Sequence, residues 1–91
     1  MEMQGAKIIT EELHNFVTNL QRFNKECEEE TDIVYGKAKM LGETWRDPSY
    51  EKFIEEFDRA VQGMRDFVEA SNEHIPYLQR KIQEAEEAAI Y

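Results

Sequence analysis

Few residues in this sequence have a type and spacing that could do chemistry. Glu11 and His14 stand three apart, which places a carboxylate and an imidazole on one helical face, the spacing used in the di-iron sites of helix bundles. Such sites need two of these pairs and further inward carboxylates, and this chain supplies one pair. His74 would come within a turn or two of His14 if the chain folded back on itself, giving at best a weak two-histidine site. Flanking surface histidines are the simpler reading, and neither a metal nor a cofactor is expected. A reactive thiol needs an electropositive setting, whereas Cys27 sits among Glu26, Glu28, Glu29 and Glu30. It reads as a small packed hydrophobe. A Gly-rich phosphate loop and a Gly-Xaa-Ser-Xaa-Gly turn are both missing. No catalytic residue is expected, and the chain is read as a non-enzyme without a small-molecule substrate.

The remaining candidate is Leu41-Gly-Glu-Thr-Trp-Arg-Asp-Pro-Ser-Tyr50, which holds the single tryptophan. Trp45, Arg46 and Asp47 would form a recognition knob at a turn. The plainer alternative makes Trp45 a plug that packs on Leu41 and Tyr50. Asp47 before Pro48 is a strong helix start: the carboxylate accepts from free first-turn amides, and proline gives up an N–H that had no partner there.

Two long helices must position this turn. The spacing predicts a helix over about residues 7–41, a turn over 42–47 and a helix over about 48–90. Residues Ile9, Leu13, Phe16, Leu20, Phe23, Cys27, Thr31, Val34, Ala38 and Leu41 step by threes and fours, with one extra four-residue step near Thr31. Gly42 is placed to end that helix. In the second segment Tyr50, Phe53, Phe57, Ala60, Met64, Phe67, Ser71, Ile75, Leu78 and Ile82 continue the seam, with a stutter from Ser71 to Ile75. Pro76 removes one backbone hydrogen bond and crowds the Asn72 carbonyl, so a kink or a break is expected there. The 91 residues thus read as one all-α domain, an antiparallel two-helix hairpin over 1–91.

A second row, Ile54, Val61, Val68 and Ile75, recurs every seven residues beside the Phe53 row. The apolar stripe is then wider than one hairpin seam, and a second hairpin would cover the excess to make a four-helix bundle. Its expected interface is Phe53, Ile54, Phe57, Val61, Met64, Phe67 and Val68. The plainer alternative is a wide seam shielded by Lys and Arg stems.

Eleven Lys and Arg against twenty Asp and Glu leave a net charge of −9. Nucleic acid and anionic membrane surfaces would be repelled. No apolar run is long enough to span a membrane. The start, MEMQGAKIITEELHNF, lacks a basic stretch followed by an apolar core, so no signal peptide is expected.

Two long helices, about a hundred residues and a central tryptophan turn resemble the WxG family, the early-secreted-antigen-like substrates of type VII (ESX) secretion. The likeness covers essentially the whole chain. It implies a homodimer or a heterodimer with a related hairpin, built as a four-helix bundle. It also implies a secretion ATPase as a further partner and a bacterial protein that is cytoplasmic before export. Two positions depart from the pattern. Asp47 stands where the family has Gly, and Tyr77 is followed at the Tyr-Xaa-Xaa-Xaa-Asp/Glu spacing by Lys81 rather than an acid. The alternative function is a cytoplasmic, acidic, chaperone-like adaptor that binds a basic partner and is unconnected with export.

Overall fold

A computed structural model describes the backbone of residues 2–90 and the side chains of residues 10–88. The expectation for Ile9 lies outside the described side chains. Helix α1 spans Glu2–Leu41 and helix α2 spans Pro48–Ile90. They form an antiparallel helical hairpin, and strands are absent among the described residues. Helix α2 runs through Pro76 without interruption, so the chain does not break into two helices there.

Contacts divide the hairpin into two compact units, Met1–Asn24 with Ala70–Tyr91, and Lys25–Glu69. In the first, Val17, Ile75 and Ile82 form a buried cluster, with Leu13, Leu20 and Leu78 packed against it. Asn24 lies at the end of that cluster and is only 2% exposed. Its amide nitrogen donates to the Ser71 hydroxyl at 2.9 Å and to Asn72 Oδ1 at 3.0 Å. Its own Oδ1 is buried without a hydrogen-bond partner, the kind of group that costs free energy in a core.

In the second unit the buried positions are Ala38, Val61 and Val68. Tyr35 lies half-buried on the α1 side and donates its hydroxyl hydrogen to Asp58 on α2. Arg65 and Asp32 add an exposed ion pair between the helices at 3.0 Å.

These positions correct the expected seam. Phe16, Phe23, Val34 and Leu41 of α1 are about half exposed, as are Met64 and Phe67 of α2. Their C-terminal neighbours Val17, Asn24 and Tyr35, and on α2 Val61 and Val68, occupy the interface instead. One residue along a helix is about a 100° rotation, so a shift of one moves the seam to the adjacent row. On α2 both rows are apolar, so heptad spacing alone left the choice open there; on α1 the expected Leu13, Leu20 and Ala38 stay packed and Val17 and Asn24 join them. The branched and small side chains, Val17, Ala38, Val61, Val68 and Ser71, fill the narrow space between helices, and the large rings are left on the flank. The shift also removes the stutter expected in α2, since Val68, Ser71, Ile75, Leu78 and Ile82 step 3, 4, 3, 4.

Candidate protein-interaction site

The turn is built from both helix ends. At the end of α1, the amides of Thr44 and Trp45 both donate to the Leu41 carbonyl, at 3.2 and 2.8 Å. These bonds satisfy a carbonyl that the helix itself leaves open. At the start of α2, Asp47 Oδ1 accepts from the Ser49 amide at 2.8 Å and from the Ser49 hydroxyl. Asp47 Oδ2 accepts from the indole Nε1–H of Trp45 at 3.1 Å. The Ser49 side chain first, then its amide and the Trp45 indole, hold the Asp47 carboxyl below its ordinary value. Arg46 turns back, its Nε–H donating to the Glu43 carbonyl at 3.0 Å.

Trp45 is half-buried against aromatic neighbours. Its ring centroid lies 5.4 Å from Tyr50 in an edge-on arrangement and 5.6 Å from Phe53. Phe53 stacks on Phe57 at 5.5 Å, and Phe57 on Tyr35 at 6.5 Å. The aromatic side chains therefore form a continuous column from the turn along the second unit, at separations where ring pairs add to plain burial.

Tyr50 has a role that spacing did not reveal. Its hydroxyl donates to the Ala38 carbonyl at 3.0 Å and to that of Lys39 at 3.3 Å, closing the end of α1 from across the turn. Gly42 makes room for this ring: a Cβ there would lie 2.9 Å from Tyr50 Cε2. Gly42 directly follows the end of α1, as expected, and does so without a positive φ. Its contribution is space. The readable signal was a glycine at a helix end, and the aromatic that needs it lies eight residues on.

The residues expected at an interface separate into three groups. Val68, at 3% exposure, is enclosed in the intramolecular seam, which corrects its assignment; Val61, at 7%, belongs to the same row but still lines the apolar groove between the helices. Phe53, Ile54 and Phe57 are half-buried, Phe53 and Phe57 within the aromatic column. Met64 and Phe67 are 40% and 50% exposed.

Exposed residues that were assigned to the seam join them. In the second unit, Val34 and Leu41 on α1 are 47% and 46% exposed. Glu30, Thr31 and Val34 of α1 meet Phe57, Ala60 and Met64 of α2 around an open apolar groove of about 240 Å³. In the first unit, Phe16, Phe23 and Tyr77 are similarly exposed. Ile33 and Met40 form a second, narrower stripe on α1.

Lys39 Nζ lies 5.1 Å from the Tyr35 ring centroid. Tyr35 foremost, with Asp58 beyond it, raises the Lys39 ammonium above its ordinary value. Glu11, His14 and His74 are exposed, and no group of three metal-ligating side chains occurs among the described residues. No helix among the described residues is long and apolar enough to cross a membrane. No known protein family, curated protein or solved structure matches the chain.

Proposed function

We propose that the chain is a non-enzymatic protein-interaction module that pairs with a second helical hairpin, its own copy or a related chain, to complete a four-helix bundle. The observation that carries this reading is the groove where Val34 meets Phe57, Ala60 and Met64, with half-exposed large apolar side chains along both helices. Apolar surface gathered on one side of two helices gains about 25 cal/mol for each Å² removed from water by a partner.

The resemblance to the WxG family supports the same reading and adds a route: export through a type VII-like system, with the Trp45 turn presented for recognition. Asp47 fits this role despite replacing glycine, since it both caps α2 and holds the indole. A secretion ATPase would be a later partner, and the missing acid after Tyr77 leaves the export signal to the paired chain.

Introducing a charge into the groove is the test. Met64→Asp places a carboxylate at an exposed site, so far-ultraviolet circular dichroism should stay unchanged while pairing measured by size-exclusion chromatography is lost. Pairing that survives both Met64→Asp and Val34→Asp would refute the reading.

A further inference from the structure

We infer that the groove of the second unit is shaped for an amphipathic helix with basic flanks, supplied by a different chain, and that a second copy occupies it only weakly. This rests on the pairing reading above and names the chemistry of the partner.

The argument begins with charge. The unit Lys25–Glu69 carries seven Lys and Arg against thirteen Asp and Glu. Two acids mark the α1 edge of the groove. Glu30 lines it, and Glu26, one turn earlier on the same face of α1, is exposed with it. Glu28, Glu29 and Asp32 lie on other faces of α1 and add to its overall acidity, Asp32 being paired with Arg65. The floor is apolar, from Val34, Phe57, Ala60 and Met64. An apolar floor with an acidic edge is complementary to a helix that is apolar on one face and basic beside it.

A second copy fits this edge poorly. Two identical chains related by a two-fold axis meet through the same patch. Each chain would then bring its own Glu30 to the shared patch, together with a net −9. Repulsion of this kind is relieved by salt, whereas attraction to a basic helix is weakened by it. The two occupants are therefore told apart by opposite responses to ionic strength.

The test uses the full chain and two labelled synthetic helical peptides, one with leucine on one face and lysine beside it, the other with glutamate in place of lysine. Fluorescence anisotropy should show binding of the lysine peptide alone, weakened by salt. The double change Glu26→Lys and Glu30→Lys should weaken it about tenfold. Glu86→Lys with Glu87→Lys, the same change of charge in the other unit, should leave it nearly unchanged. Equal losses from both doubles would show attraction to net charge alone and overturn the inference. Sedimentation separates it from the reading it rests on. A tight self-dimer at low salt that excludes the lysine peptide overturns the basic partner and leaves pairing standing. A chain that neither self-associates at any salt nor binds the peptide overturns both.

Discussion

The indole N–H of Trp45 donates to the carboxylate of Asp47, 3.1 Å away, and the other oxygen of that carboxylate caps α2 through the Ser49 amide. One side chain thus fixes the tryptophan and starts the second helix. Replacing Asp47 with Ala should lower the thermal midpoint and shift the Trp45 emission together. The carboxyl is held below its ordinary value when folded, so its contribution is complete above the pH at which an unfolded aspartate ionises. It is lost as pH falls through the lower folded value. The difference in midpoint between wild type and Asp47→Ala should therefore shrink from about pH 6 to about pH 3. A difference that held constant would detach the cap from its charge.

Trp45 itself is half-buried between Tyr50 and Phe53. Trp45→Ala should leave helicity near wild type at room temperature and cost about 2 kcal/mol in urea unfolding, below the range for a fully buried ring. If this change instead abolishes the helical signal, the residue serves chiefly as a plug, and a recognition role for the turn loses its support.

The glycines should respond with opposite signs. A methyl at Gly36 or Gly63 meets nothing within 4 Å, whereas at Gly42 it meets the Tyr50 ring. Gly36→Ala and Gly63→Ala should each stabilise by about 1 kcal/mol, the helix preference of alanine over glycine. Gly42→Ala should destabilise by displacing the Tyr50 ring from the end of α1, and Tyr50→Phe should remove part of the same effect. Chemical denaturation of the four variants would decide this. A stabilising Gly42→Ala would contradict the close approach.

Asn24 carries a buried oxygen with no partner inside an otherwise apolar unit. Truncation to Ala should destabilise, because it opens space and strands Ser71. The pair Asn24→Leu with Ser71→Ala exchanges the polar layer for an apolar one and should match or slightly exceed the wild type. Thermal unfolding of the double variant below that of Asn24→Ala would show that the polar layer is itself stabilising.

Much of the hairpin was legible in the residues. Asp47-Pro48 marks the start of α2, Gly42 lies one residue past α1, and heptad steps run through both segments. Of the kink or break expected at Pro76 the break is absent, because a proline lacks one amide but does not by itself end a helix held by packing; Ile75, Leu78 and Ile82 are tied to α1 on either side of it. The seam was harder, because two neighbouring apolar rows satisfy the same spacing. Periodicity reports that a face is apolar, and only the fit between helices decides which row is enclosed. Val61 and Val68 went inward for that reason, and Met64 and Phe67 stayed on the flank. The Asn24 layer and the Tyr50 cap join residues 47 and 12 apart in sequence, beyond the reach of any local pattern.

The most direct measurement is sedimentation equilibrium of the wild-type chain from low to high salt, over micromolar to near-millimolar concentration. If the exposed flank is a pairing surface guarded by acid, the mass should climb from 10.8 kDa toward twice that value as salt and concentration rise. A mass that stays at 10.8 kDa under every condition, in a chain that also fails to bind the lysine peptide, would contradict the claim that this apolar face is built to pair.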